Sequence, residues 1–160
     1  MSYEMIEKFM KCSIPPSLKF IKSQNTHIAI LYNKRTSTIL SYAINQRIST
    51  RGIYYKNENQ RISIHAEQSL FIKWSAVRKK IPKAVMRGKK IIISLRFNPN
   101  GVIGSSKICE ACADLIKKKW NDSISSVVYV DERGVIQTVS LDVMCCLACK
   151  SSGDKRLRSA

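Results

Sequence analysis

Hydrophobic and polar residues follow one another along the chain in patterns that predict several strands. Two β-like runs, at 27–32 and 38–44, are separated by five polar residues, and this arrangement predicts a β-hairpin. The run 90–97 is rich in β-branched residues and predicts a buried strand. Two further apolar runs, 127–130 and 135–139, flank a turn that contains glycine and predict a second hairpin.

Two other segments have the apolar spacing of helices. One runs from His65 to Lys80 and is ended by Pro82, and the other runs from Cys109 to Trp120. The resulting order, β-β-α-β-α-β-β, predicts an α/β fold in which helices cover both faces of a mixed five-stranded sheet. Because the turn between the last two strands is short, we expect these strands to be antiparallel neighbours.

The length of 160 residues fits a single domain. Within it we expect a helical lead-in at 1–26, a folded domain at 27–140 and a cysteine-bearing, basic tail at 141–160. The polar stretch 45–63 reads as a long loop, and loops of that length inside a compact domain are often functional.

The apolar runs of the chain and its first residues bear on its location and on the redox state of its cysteines. No apolar run approaches the roughly 18 residues that a membrane span needs, and the first residues show no apolar signal region. We therefore expect no membrane association and an intracellular location, in the cytoplasm or the nucleus. Six cysteines in such a chain indicate free thiols or a metal site in preference to disulfides.

The charge balance is strongly positive. The chain has 28 Lys and Arg against 11 Asp and Glu, a net charge of +17 with a pI near 9.9. Such an excess attracts polyanions, nucleic acid above all. The segment 68–109 contains ten basic residues and no acid, so it is either a solvated surface or a phosphate-binding track that leads to the second helix. Its candidate phosphate contacts are Arg78, Lys79, Lys80, Arg96 and Lys107.

Potential metal ligands stand at the start of both predicted helices. His65 opens the first, and Cys109 and Cys112 open the second. One imidazole and two thiolates suit Zn²⁺, and three protein ligands leave its fourth position open, as in catalytic zinc sites. A helix N-terminus favours the thiolate form of cysteine. Glu67, next to this group and not one of the ligands, could move protons.

These two motifs resemble a known signature. The His-Ala-Glu motif at 65–67 and the Cys-x-x-Cys motif at 109–112, in this element order, are similar to the H-x-E and P-C-x-x-C motifs of the zinc-dependent cytidine deaminase superfamily. The resemblance spans about residues 27–140 and implies a three-layer α/β/α fold. More loosely, the chain is similar to uncharacterised deaminase-like proteins of large DNA viruses, which would place it in a virion or host cell.

The resemblance extends beyond the metal motifs and also has one departure. Asn45 matches the sugar-binding asparagine of the superfamily, whereas Ile108 stands where the superfamily usually has proline. Tyr54 and Tyr55 lie in the long loop and could stack on a base or simply pack. We take Asn45 and the two tyrosines as candidate substrate-binding residues.

The activity that the resemblance implies is hydrolytic deamination of a cytosine-type base. Zinc lowers the pKa of its bound water from 15.7 toward about 7. The zinc-bound hydroxide would attack the amino-bearing carbon, with Glu67 as proton shuttle. The short final turn favours the branch of the superfamily that acts on free cytidine, deoxycytidine or their nucleotides. A homo-oligomer is compatible with this interpretation.

Two alternatives stay open. The positive charge favours a polynucleotide deaminase that acts on cytosine or adenine in RNA or single-stranded DNA. Alternatively, Cys109 and Cys112 could join Cys146 and Cys149 in a structural zinc site of a non-catalytic nucleic-acid-binding protein. The gap of 33 residues between these pairs exceeds the usual range of roughly 15–20, and this alternative leaves the His-Ala-Glu motif unexplained.

Three interpretations are open for the C-terminal cysteines, which are Cys145, Cys146 and Cys149. They could form a second zinc site together with Cys12, carry a lipid, or be packed thiols.

Overall fold

The computed structural model describes residues 25–47, 63–120 and 123–148. The predicted helical lead-in, apart from its last two residues, and most of the predicted long loop lie outside these ranges. Tyr54 and Tyr55 also lie outside them.

The described residues form strands and helices in the predicted order, with three short additional strands and two additional short helices. The strands are β1 (Thr26–Asn33), β2 (Thr38–Ile44), β3 (Gln46–Arg47), β4 (Ser63–Ile64), β5 (Lys90–Phe97), β6 (Ile103–Gly104), β7 (Ile124–Val130) and β8 (Ile136–Ser140). The helices are α1 (Ala66–Val77), α2 (Lys83–Met86), α3 (Glu110–Trp120) and α4 (Leu141–Leu147), with a 3₁₀ turn at Arg78–Lys80 directly after α1.

One mixed sheet organises the fold, with the strand order β2-β1-β5-β7-β8. β5 and β7 are parallel, and the other pairs along this path are antiparallel. The predicted α/β fold with a mixed sheet and an antiparallel final pair is therefore confirmed. The sheet has six strands in place of the predicted five, because β6 folds back after the Asn98–Gly101 turn and pairs with the end of β5.

The parallel strands separate toward one end of the sheet. β5 pairs with β7 only from Lys90 to Ile93, whereas β1 remains paired with β5 as far as Phe97. Beyond Ile93, the free side of β5 is taken by β6. A crevice at the carboxyl ends of parallel strands is where open α/β sheets usually place their functional groups.

Successive strand residues point to opposite faces of the sheet and build two apolar clusters. Ala29 and Leu31 of β1 belong to the cluster on one face, and Ile28 and Ile30 belong to the cluster on the other. Each described helix contributes to the first cluster; Leu70 of α1 is among its fully buried members. The helices therefore share one face of the sheet, so that their ends can meet. The predicted second helical layer is not among the described elements.

The packed unit extends past the predicted boundary at residue 140. Helix α4 follows β8 without a linker, and the Ser140 hydroxyl accepts a hydrogen bond from the Val143 amide at its start. Leu141 and Met144 lie on one side of this helix and are buried in the first cluster. The segment 141–160, which was predicted to be a tail, thus begins with a helix that packs on the core. Only two apolar side chains of this helix are buried.

None of the helices in the described ranges could cross a bilayer; α1, the longest, has 12 residues.

Candidate metal centre

The three predicted ligand residues lie together at the N-termini of α1 and α3. His65 is the residue before α1, Cys109 is the residue before α3, and Cys112 is in the first turn of α3. His65 Nδ1 lies 3.2 Å from Cys109 Sγ and 3.4 Å from Cys112 Sγ. All three ligand atoms lie within 4.8 Å of one another, and no other such group of His, Cys, Asp or Glu occurs in the part of the chain that the structure describes.

The start of α3 is held by an apolar side chain at the position where proline is expected. Ile108 is only 1% exposed and belongs to the first cluster, together with Cys112 and Ala113. Proline would fix the entry to the helix through its restricted backbone angle. In this chain the burial of Ile108 anchors the same point, so both cysteines are held at a defined position.

The two thiols titrate very differently. The hydrogen bond from Cys112 lowers the pKa of Cys109 to about 4, against the opposing effect of burial. The same pairing, together with burial, raises the pKa of Cys112. In this arrangement the two thiols share one proton, so the pair as a whole carries one negative charge more readily than an isolated thiol does. A metal that binds here displaces this proton, because thiolates are the metal-binding form of cysteine.

Glu67 lies in the first turn of α1 and is 6% exposed. Its Oε1 accepts a hydrogen bond of 3.0 Å from the Ser94 hydroxyl of β5. Burial is the largest influence on this carboxyl and raises its pKa. A buried carboxyl with a raised pKa next to potential metal ligands is suited to holding and releasing a proton.

A short series of hydrogen bonds connects Glu67, through Ser94, to Ser106 and the backbone of β7. The Ser106 hydroxyl donates to the Ser94 carbonyl at 2.7 Å and accepts from the Val130 amide at 2.9 Å. The Ser106 amide in turn donates to the Val130 carbonyl. Ser106 therefore joins the separating ends of β5 and β7, and it fixes the strand that carries Ser94.

Asn45 lies at the same end of the sheet. Its Oδ1 accepts a hydrogen bond from the His27 amide at 2.8 Å, and its own amide donates to the His27 carbonyl at 3.0 Å. In the β3–β4 pair, Gln46 is opposite Ile64. Asn45 and His65 are the residues next to this pair in the chain, so both lie at its end.

His27 of β1 is paired with Arg96 of β5 on the adjacent strand. This pair lies two residues further along β5 than Ser94. Burial lowers the pKa of His27 to about 4, and the charges of Arg96 and His65 act in the same direction. His27 is not among the three grouped ligands and is neutral at physiological pH. The imidazole and the half-buried guanidinium thus form a wall next to the site.

The five basic residues predicted to contact phosphate fall into two groups. Arg96 and Lys107 lie at the end of the sheet where His65, Cys109 and Cys112 meet, which we call the metal end. Arg96 is near the end of β5, and Lys107 is two residues before Cys109. Arg78, Lys79 and Lys80 follow the far end of α1, and a helix of 12 residues is about 18 Å long. The structure therefore does not bring these three to the metal centre.

The alternative zinc site with four cysteines finds no support in the described residues. Cys146 lies exposed on α4 and does not join the group of ligand atoms. The thiol of its neighbour Cys145 lies 3.8 Å from the Ala113 carbonyl. Cys12 and Cys149 lie outside the described residues.

Sequence reasoning missed Ser94, Ser106 and His27 as residues of the site. Ser94 did leave a signal, because it is a polar residue inside the apolar run 91–95. Ser106 left none, since it lies in an irregular segment with no periodic pattern.

Comparison with known proteins gives likenesses among solved structures alone. No family model matches the chain, and no curated protein matches it. Among solved structures, the dCMP deaminase of the cyanophage S-TIM5 is similar, with a TM-score of 0.45 and 19% identity over 94% of this chain and 97% of that one.

Proposed function

We propose that the protein is a zinc-dependent hydrolytic deaminase that acts on a cytosine-type base of a nucleoside or nucleotide. The observation that carries this proposal is the grouping of His65, Cys109 and Cys112 beside the buried Glu67. Three ligands and a separate carboxyl are the set of residues that such a reaction needs.

The donor set fits zinc better than the harder divalent ions. Magnesium and calcium prefer oxygen ligands, whereas an imidazole and two sulfurs are ligands that zinc prefers. His65, Cys109 and Cys112 would hold the ion and leave room for a fourth ligand. When bound, zinc supplies a water molecule whose pKa is lowered toward about 7.

Glu67 is the proton carrier in this proposal. Its raised pKa allows it to accept a proton from water and pass it to the ring nitrogen, and then to carry the second proton of that water to the amino group, which leaves as ammonia. The hydrogen bond from Ser94 holds one carboxyl oxygen and so fixes the position of the carboxyl.

Asn45 and Arg96 would recognise the rest of the substrate. Because Asn45 Oδ1 is engaged by the backbone of β1, its Nδ2 group is the donor that a ribose hydroxyl would meet. The Arg96 guanidinium on the same side could pair with a phosphate, and a 5′-nucleotide is then preferred to a nucleoside. Lys107 supplies a second positive charge at this end.

The proposal is tested by metal analysis together with a panel of substrates. The purified protein is expected to contain about one zinc per chain and to release ammonia from cytidine, deoxycytidine or their monophosphates. A cytosine-containing single strand is assayed in parallel at low and high salt. Turnover on the strand alone, weakened by salt, would support the polynucleotide alternative. Bound zinc without turnover on any substrate would contradict the proposal.

A further inference from the structure

A cluster of positive side chains occupies the end of the sheet opposite the metal centre. We call this region the basic end and define it by its exposed Lys and Arg residues. They are Lys34, Arg35, Arg78, Lys79, Lys80, Lys83, Arg87 and Lys89.

A buried asparagine joins the two segments that carry most of these charges. Asn33 Nδ2 donates hydrogen bonds to the Val85 and Arg87 carbonyls at 2.7 and 2.9 Å, and its Oδ1 accepts from the Arg35 amide. The β1–β2 turn and the segment after α2 are thereby fixed against each other. The positive side chains therefore project from a defined backbone surface.

Close backbone packing completes this junction. Gly88 has a φ of +92°, and a Cβ at this position would lie 3.5 Å from the Arg35 side chain. The buried Lys90 ammonium donates to the Met86 and Gly88 carbonyls. A lysine is thus used to hold the segment, while its neighbours remain exposed.

The cluster has no nearby negative partner in the described part of the chain. The described residues from 25 to 66 and from 68 to 109 contain neither Asp nor Glu. None of the eight exposed side chains takes part in a described ion pair, in contrast with Lys117, which pairs with Asp142 at 3.0 Å. Within the described residues 25–66 and 68–109, no carboxylate therefore neutralises the positive charge of the basic end.

The basic end is too far from the metal centre to hold the phosphate of a bound nucleotide. Lys90 and Ser94 are four strand positions apart, or about 13 Å. The metal ligand His65 and the Arg78–Lys80 turn are separated by the length of α1. A ligand at this end is thus bound independently of the proposed substrate site.

A groove lies beside the basic end and is lined mainly by apolar side chains. It has a volume of about 380 Å³ and lies between the edge strand β2 and the end of α1. Lys73 Nζ lies 4.3 Å from the centre of the Tyr42 ring, and Lys80 is at the rim. The apolar side chains of Val77 and Ile81 form the floor.

We propose that the basic end and this groove bind single-stranded nucleic acid at a site separate from the metal centre. The eight cations would contact successive phosphates, and the groove would take up a base against the apolar side chains of Val77 and Ile81. This inference goes beyond the proposed deaminase activity and does not depend on it. It gives the enzyme a means of staying on nucleic acid while it acts on small substrates.

The surface fits a nucleic acid better than a lipid membrane. Membrane-binding surfaces combine cations with an exposed apolar face. At the basic end, the apolar side chains of Ile81, Val85 and Met86 are instead partly buried against the core. Cations without an apolar face that could enter a bilayer are typical of phosphate-backbone contacts.

The test is the binding of fluorescent oligothymidylate to the full chain, with a strand longer than the about 16 nucleotides of a large single-strand site. This strand has no amino-bearing base, so binding is measured apart from deamination. The Lys83→Glu/Arg87→Glu variant is expected to bind about tenfold more weakly and to lower the salt slope by about 1.4, since each phosphate contact on a single strand contributes about 0.7.

The matched control is Lys107→Glu/Arg133→Glu, which changes the net charge equally at exposed positions of the metal end. It is expected to alter the affinity less than about twofold. Equal weakening by both variants would overturn the proposal, because binding would then follow net charge alone. Displacement of the strand by excess dCMP, or tighter binding to phosphatidylserine vesicles than to the strand, would overturn it as well. Thermal unfolding of both variants verifies that they remain folded.

Discussion

The two ends of the sheet use polar side chains in opposite ways. At the metal end, Glu67 and Ser94 are buried and hydrogen-bonded to each other. At the basic end, one buried asparagine ties backbone segments together and every charge outside the junction is exposed. Buried groups act over bond distances and must be placed accurately, whereas exposed charges act over about a Debye length, near 10 Å at 0.1 M salt. The first end is therefore suited to chemistry and the second to attraction.

Removal of a ligand thiol is the most severe way to break the metal end. Cys112→Ser is expected to reduce the zinc content from about one ion per chain to near zero and to abolish turnover, because serine is a poor zinc ligand. The measurement is metal analysis of the purified variant together with the ammonia assay. Oligothymidylate binding should remain, since the basic end does not involve Cys112.

The matched control for this thiol is Cys146→Ser, because Cys146 is exposed on α4. It is expected to retain both zinc and activity. Loss of zinc in the control, with zinc retained by a His65→Ala variant, would instead support the structural site with four cysteines.

Substitution of the buried carboxyl should separate metal binding from chemistry. Glu67→Gln keeps the shape of the side chain but cannot carry a proton, so kcat is expected to fall by about 10²–10⁴ while zinc is retained. Steady-state kinetics and metal analysis of the same preparation measure both effects. A fall in kcat of less than about tenfold would exclude Glu67 as the proton carrier.

Two buried hydrogen-bonding residues allow the ends to be compared directly. Asn33→Ala and Ser106→Ala each leave backbone groups without a partner, and each is expected to lower the free energy of unfolding by about 1–3 kcal/mol. Asn33→Ala should also weaken oligothymidylate binding and leave kcat unchanged. Ser106→Ala should lower kcat and leave strand binding unchanged. Urea unfolding, kinetics and anisotropy distinguish the two; identical functional effects would show that the ends are not independent.

The smallest effect is expected at the turn between β7 and β8. The Asp131 carboxylate accepts hydrogen bonds from the Gln137 side chain and from the Arg133 and Val135 amides, and these lower its pKa. A lowered pKa in the folded state stabilises the fold above the ordinary pKa of aspartate, about 3.9, and this contribution is lost as the pH falls through the folded value.

Asp131→Asn retains the shape of the side chain but not its charge. We expect the variant to have a slightly lower Tm than the parent protein at neutral pH. The two Tm values should converge in acid, where Asp131 is protonated. A difference that is the same at both pH values would show that the carboxylate charge does not stabilise the turn.

The sequence predicted the parts of the fold that have a period or a local motif. The bounds of the strand at 90–97 agree with the structure because three consecutive isoleucines are followed by alternating polar and apolar residues, Ser94 to Phe97. His65 and Cys109 could be placed at helix starts because each stands at the beginning of an apolar helical pattern. β6 could not be predicted, since two residues are too few to show any period.

The long-range relations between these parts were not readable from the sequence. The contact between Glu67 and Ser94 joins residues 27 positions apart and depends on which face of β5 meets α1. Likewise, the sequence shows that the segment 68–109 contains no acid, but it does not show where the basic residues of this segment lie relative to the metal ligands. α1 begins at the metal ligands and runs away from them, so the charges that follow the helix emerge at the opposite end.

The parallel pairing of β5 and β7 has a consequence for how the protein matures. Parallel neighbours need a crossover, and here the crossover contains α3 with its two cysteines. During synthesis, Cys112 follows His65 by 47 residues, a delay of about 2–9 s at about 5–20 residues per second. Until the crossover docks, the nascent chain can offer an ion only part of its coordination shell. Stable uptake of metal would therefore report that translation has passed α3 and that the crossover has closed.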